Sequence, residues 1–303
     1  MRRKDAMRSH NAGRIGERVW YLGREETGVY LLVGDEASLI ISGGMSYLAP
    51  VVQDQLGAFG IDEKKIKKLL ILHSHFDHVG LVPFFRRRDP DLQVYASARA
   101  WQILQTPKGI ETINASGRLV AQRMGASGCL EGFDLEWRSD GAGVVVSEGA
   151  RIDLGGLTVQ ILETPGHSSC SITAYVPEIR ALFPSDGGGI PYQGVILPSG
   201  NSNFTHYQHS LEKLKSLKVD MFCADHYGYV TGEEAGSMIL RSIDVARDYR
   251  AMVEEIYRRT ASIDATVQAL VTERYALFPN FIIGPEIYTG VCRQIVRHIA
   301  GAM

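Results

Sequence analysis

The sequence predicts an α/β (α+β) fold, an αββα sandwich followed by a C-terminal helical extension. Three observations lead there. Two sets of short apolar, β-rich segments stand on either side of a helical stretch. Metal-capable side chains recur directly after several of those segments. After residue 226 the apolar spacing becomes that of amphipathic helices.

Taken in order, Val19-Trp20-Tyr21-Leu22, Val29-Tyr30-Leu31-Leu32-Val33 and Ser38-Leu39-Ile40-Ile41 are separated by Gly and charged turns and read as an antiparallel meander. A helix around 48–56 then leads to the apolar run Leu69-Leu70-Ile71-Leu72, a buried strand. The stretch 98–124 is expected to be a helical insertion over the sheet, and a second set of strands to run from 144 to 224. Thr231-Gly232-Glu233-Glu234 fits a capping box opening a long helix, in which Met238, Ile239, Ile243, Ala246, Tyr249, Met252, Val253 and Ile256 recur at helical spacing. Further helices are expected over 264–275 and 288–299. Residues 1–230 would form the sandwich, and 231–303 an extension packed on the same domain.

The strongest signal is His73-Ser74-His75-Phe76-Asp77-His78, directly after the strand. In extended chain, residues two apart share a face, so His73 and His75 can converge on one ion while the following turn carries Asp77 and His78 toward a neighbouring position. His167 follows Leu157-Thr158-Val159-Gln160-Ile161-Leu162 through the turn Thr164-Pro165-Gly166; Asp186 follows Ala181-Leu182-Phe183; His226 follows Met221-Phe222-Cys223-Ala224. Each is a strand delivering a ligand to one rim. Burying five imidazoles and two carboxylates without partners is costly, and a pair of ions compensates it. His10, His206, His209 and His298 carry no such pattern and are expected to be ordinary surface or core residues.

These motifs, in this order, resemble the metallo-β-lactamase fold superfamily, and within it most nearly the PqsE-like (quinolone-signal response) thioesterase branch, a likeness that extends to the helical stretch after Val94-Tyr95-Ala96-Ser97 and to the end of the chain, where Phe281-Ile282-Ile283-Gly284-Pro285-Glu286-Ile287 precedes a last helix. The resemblance implies that His73, His75 and His167 hold one divalent ion, that Asp77, His78 and His226 hold a second, and that Asp186 bridges them. It also implies that the terminal helices cap the site, with Phe278, Phe281 and Tyr288 as candidates for an apolar lining, a placement that core packing explains equally well. Ser185 departs from the pattern, since Gly usually precedes the bridging Asp.

Two divalent ions, iron or zinc with manganese also open, would bring a net positive centre and a bridging hydroxide near neutral pH. Cleavage of an ester-like bond in a small-molecule substrate is the consequence, with Asp77 as the candidate for orienting the nucleophile. Asp at the bridging position resembles the thioesterase, glyoxalase II, lactonase and phosphodiesterase branches rather than the Cys-bearing β-lactamases, and a thioester of an acyl or aroyl group is the leading expectation. Lactone and phosphodiester substrates stay open. A diiron redox protein is disfavoured by His75, where flavodiiron proteins carry a carboxylate. A regulatory protein acting through a partner is the third reading, and the terminal helices offer a homodimer face as readily as a lid.

The 303 residues, 45% hydrophobic and 22% charged, suit a globular enzyme, and a net charge of -2 gives no reason to invoke nucleic acid. No apolar window approaches bilayer length, and Met1-Arg2-Arg3-Lys4-Asp5 has no apolar core behind it, so neither membrane span nor secretory signal is expected and the cytoplasm is the default. Cys129, Cys170, Cys223 and Cys292 form no CxxC pair and are expected to be free thiols.

Overall fold

The structure is a computed structural model describing residues 8–303 except Asp140, Ala142 and Ile282. The readings placed on residues 1–5 and on Ile282 lie outside the described residues. The chain opens with β1 (Arg8–Ser9), β2 (Gly13–Gly16), β3 (Val19–Arg24), β4 (Thr27–Val33) and β5 (Ser38–Ile41), followed by α1 (Ala49–Ala58) and β6 (Ile66–Leu70). Next come α2 (Val82–Arg88), β7 (Gln93–Ser97), α3 (Ala98–Leu104), α4 (Pro107–Arg123) and β8 (Val144–Val146). The second half holds β9 (Arg151–Asp153), β10 (Thr158–Glu163), β11 (Ile172–Val176), β12 (Ala181–Phe183), the hairpin β13 (Ile190–Tyr192) and β14 (Val195–Leu197), α5 (Phe204–Leu214), β15 (Met221–Cys223) and β16 (Tyr229–Thr231). Three helices close it: α6 (Glu233–Thr260), α7 (Ile263–Leu277) and α8 (Pro285–Gly301).

One sheet runs β2-β3-β4-β5-β6-β7-β8 and the other β1-β16-β15-β12-β11-β10-β9. Alternation along β4 shows why they stack. Tyr30 and Leu32 point into the core between the sheets with Val159, Ile161, Ala174 and Phe183, while Val29 and Leu31 point outward to pack under α1 and α2 beside Val52, Leu56 and Phe85. The outer face of the second sheet, through Tyr175, Leu182 and Phe222, is covered by α5, α6 and α8, including Leu211, Met238, Val253 and Val296. Helices therefore cover both outer faces, which makes the αββα arrangement, and the terminal helices share a core with the second sheet.

Two expectations are corrected, at 144–146 and at Thr231. The Val144–Val146 run belongs to the first sheet, paired parallel to β7, because sheet membership follows pairing rather than order along the chain. The stretch 98–124 is helical as expected, in two helices that part where Thr106 caps the one beginning at Pro107. The capping box at Thr231 does not form: Thr231 is paired opposite Met221 in β15, and Gly232, at φ 71°, takes the N-cap position without a side-chain bond. Helix α5 and strands β1 and β2 were not anticipated. Among the described residues no helix is long and apolar enough to cross a membrane, and Cys170, Cys223 and Cys292 are free and buried.

Candidate metal centre

The seven residues singled out by spacing meet at one rim. His73 lies three residues beyond β6, in a segment still held by Ile71 N–H donating to Tyr95 O (2.8 Å) and Ile172 N–H donating to Leu72 O (2.9 Å). Phe76–His78 is a single 3-10 turn, which swings Asp77 and His78 away from the His73/His75 face. Asp186 sits on a second such turn directly after β12, and His226 follows β15. His73 and His78 are fully buried, and Asp186 and His167 nearly so.

Three groups of ligand atoms each fall within 4.8 Å: His73, His75 and His167; Asp77, His78 and His226; and His73, His78 and Asp186. Asp186 spans the first two. Its Oδ2 is 3.3 Å from His167 Nε2 and 3.5 Å from His78 Nε2, and its Oδ1 is 3.6 Å from His226 Nε2. Asp77 Oδ2 lies 3.5 Å from His226 Nε2 and 3.6 Å from His78 Nε2. His10, His206, His209 and His298 are exposed and outside this cluster.

The outward nitrogens decide what the inward ones can do. His167 Nδ1 bonds Ser199 O (2.8 Å), His226 Nδ1 bonds Glu26 O (2.7 Å) and His78 Nδ1 bonds the Asp225 carboxylate (2.8 Å). Carbonyl and carboxylate oxygens only accept, so each Nδ1 carries the proton and each neutral Nε2 faces inward with a bare lone pair. His78 Nε2 and His226 Nε2 then stand 3.2 Å apart, two lone pairs facing each other, which only a cation or an added proton reconciles. His75 presents Nδ1 instead, 3.1 Å from His73 Nε2 and 3.0 Å from His167 Nε2. Asp186 Oδ1 is buried without a hydrogen-bond partner among the described residues. Converging imidazoles, two carboxylates and an orphaned carboxylate oxygen fit divalent ions.

Electrostatics agree. Burial opposes charge on His78 and His226, but Asp77 and Asp186 outweigh it, raising His78 well above the ordinary imidazole value and His226 to about 9. Burial would also raise both carboxyls, yet His226, His78 and His167 hold Asp186 well below the usual carboxylate range, and His78 and His226 do the same for Asp77. Burial pushes His73 and His167 down. Without metal, protons on His78 and His226 thus stand where cations would. A raised folded-state pKa stabilises the metal-free fold fully below the free value of about 6.5. That contribution is lost as pH climbs to about 9. Metal affinity runs the other way, since each ion must displace those protons. Calorimetry in buffers of different ionisation enthalpy should show about two protons released per chain at pH 7, and affinity should rise with pH.

The His167 loop is held by backbone. Ser202 N–H donates to Gly166 O (3.0 Å) and His167 O (3.2 Å), and Asn203 N–H donates to Gly166 O (3.0 Å). Gly166 has φ 138°, and a Cβ there would sit 2.2 Å from Tyr207 N. Gly166→Ala is expected to lower unfolding stability by about 3 kcal/mol and to displace His167, read by urea denaturation together with metal stoichiometry.

Ser199, Glu26 and Asp225 hydrogen-bond the cluster residues, and the sequence pattern did not single them out. Ser199 holds two of those residues at once, its carbonyl accepting from His167 and its hydroxyl donating to Asp186 O. The one available signal was Asp225, a charged residue beside His226 at the end of an apolar run.

An αββα sandwich with a His/Asp cluster at one rim defines a metal-handling fold of the hydrolase type. The family follows: the model for the metallo-beta-lactamase superfamily matches residues 22–226, and the chain belongs to that superfamily. It is 25% identical over 249 residues to the metallo-beta-lactamase fold-containing protein ST1585 of Sulfurisphaera tokodaii, covering 78% of this chain and 88% of that one. The crystal structure of ST1585 superposes with a TM-score of 0.54 at 20% identity, over 75% of this chain and 85% of that chain. The metallo-beta-lactamase family protein TTHA1429 from Thermus thermophilus superposes at 0.65, with 16% identity and 95% of each chain covered. The probable metallo-hydrolase YqgX of Bacillus subtilis is 25% identical over 179 residues, 58% of this chain and 71% of that one. These likenesses reach the superfamily and its fold, which implies divalent metal binding, and no narrower branch.

Proposed function

We propose that this chain is a dinuclear metal-dependent hydrolase of an ester-like bond, acting most readily on a thioester of an acyl or aroyl group. The observation that carries the reading is Asp186, placed between the His73/His75/His167 and Asp77/His78/His226 groups with oxygens directed at both. Divalent ions bound there supply Lewis acidity toward a carbonyl oxygen and lower the pKa of water.

The chain's own residues fix the ligand lone pairs through Ser199, Glu26 and Asp225. Asp77, held ionised by His78 and His226, orients the attacking water's proton toward its carboxylate. A thiolate departs without a dedicated general acid.

Aromatic rings support the acyl or aroyl preference. Tyr227, next to His226, packs on Tyr192 at 4.9 Å between ring centroids, and Tyr192 in turn meets Phe278 (5.2 Å) and Phe281 (5.4 Å) from the α7–α8 connection. Arg274 lies over Phe278 and Phe281. Such a wall favours a flat or apolar acyl group over a strongly hydrated one.

The test is turnover of acyl and aroyl thioesters, a lactone, a phosphodiester and a β-lactam by zinc-, iron- and manganese-loaded protein. Thioester kcat/KM above the others, lost on chelation and restored by metal, is the expected result. Turnover led by the lactone or the phosphodiester moves the substrate assignment while leaving the hydrolase reading in place.

A further inference from the structure

A fully buried carboxylate outside the seven-residue cluster is hydrogen-bonded toward both of its halves. Asp225 Oδ2 receives His78 Nδ1 at 2.8 Å, Ser42 Oγ at 3.0 Å and Ser185 Oγ at 2.5 Å. The same Ser185 hydroxyl lies 3.2 Å from His73 Nδ1. Only one arrangement of protons satisfies every bond. The carboxylate accepts all three donors; Ser185 therefore spends its hydrogen on Asp225 and can only accept from His73, which puts a proton on His73 Nδ1. Both His73 and His78 therefore direct Nε2 at the cluster, where His78 Nε2 takes a cation or, in the metal-free chain, a proton. His73 belongs to one ligand group and His78 to the other.

Backbone geometry at Ser185 gives a second, independent observation. Its φ is 50°, in the left-handed region that favours glycine. A side chain there costs local strain, and in this chain its hydroxyl closes the link between His73 and Asp225. A glycine would relieve the backbone but would lack the hydroxyl that joins His73 to Asp225.

We infer that Asp225 and Ser185 are positioning residues that set the tautomers of His73 and His78 together, so that one buried carboxylate governs cation retention in both halves of the centre. This rests on the reading that the cluster holds divalent ions. Asp225 also places a third carboxylate, 0% exposed, beside the cluster.

The experiment uses full-length, zinc-loaded wild type, Ser185→Gly and Asp225→Asn. Zinc retained per chain is measured against rising EDTA, and the melting temperature of each metal-free form is measured alongside. Ser185→Gly trades relief of left-handed strain against chain entropy, so its metal-free form should melt within a few degrees of wild type. The EDTA concentration that removes half of its zinc should nevertheless fall roughly tenfold, as loss of a ligand's outer partner typically does. Asp225→Asn should fall at least as far and lose both ions together. Retention within twofold of wild type in both variants overturns the inference, as does zinc loss matched by collapse of the metal-free melting temperature, which would assign the network to packing. Wild type that takes up no zinc, iron or manganese overturns the metal reading itself, and is told apart because it needs no variant.

Discussion

Asp186→Ala is expected to be the most damaging single substitution for activity, lowering kcat/KM by about 10³-fold or more, which corresponds to roughly 4 kcal/mol of lost transition-state stabilisation. The reason is placement. Its two oxygens reach His167 and His78 on one side and His226 on the other, so one truncation removes a ligand from both halves. Its buried Oδ1 has no hydrogen-bond partner among the described residues, so this oxygen stays available to a cation. Elemental analysis should therefore show fewer than two metals per chain, with circular dichroism unchanged. Full metal content with full turnover would remove Asp186 from the centre.

Removing the metals should have the largest effect on stability. Ligands that bind the folded state alone add RT ln(1 + [L]/Kd), about 4 kcal/mol for each ion at a thousandfold excess over Kd. For a chain of this size each kcal/mol moves the melting temperature by roughly 2 °C, so chelation should lower it by about 10 °C or more. The loss should be larger at pH 8 than at pH 6. Protonated His78 and His226 stand in for the cations at the lower pH, and that substitution fades as pH rises toward about 9. Differential scanning calorimetry with and without EDTA at the two pH values reads both the size and the sign. A melting temperature indifferent to chelator would mean that the cluster is held by its own protons.

Much of the centre was legible locally. The His73–His78 segment declares itself because six consecutive residues follow one apolar strand, and His167, Asp186 and His226 each follow another such run. Those patterns depend on strand period and turn chemistry, which are properties of short segments. The β3–β5 meander and the long α6 are of the same kind.

What escaped the reading was set by contacts between distant residues. His78 and Asp225 are separated by 147 positions, and His226 and Glu26 by 200. No local spacing records that an aspartate beside one histidine of the cluster will accept a hydrogen bond from another. Ser185 was visible as a departure from the family pattern, but its hydroxyl acquires meaning only beside Asp225 and His73. Val144–Val146 has the composition of a strand in either sheet, and pairing with β7 alone assigns it. Thr231-Gly232-Glu233-Glu234 carries a helix-start signal that strand pairing at Thr231 overrides.

The residue types of the cluster, their order and their placement at strand ends were thus written in the sequence, because hydrophobic period and residue chemistry act over a few residues. The tertiary structure alone decided which nitrogen of each histidine faces inward and how one buried carboxylate reaches both halves of the centre, because a hydrogen bond depends on distance in space and not on distance along the chain.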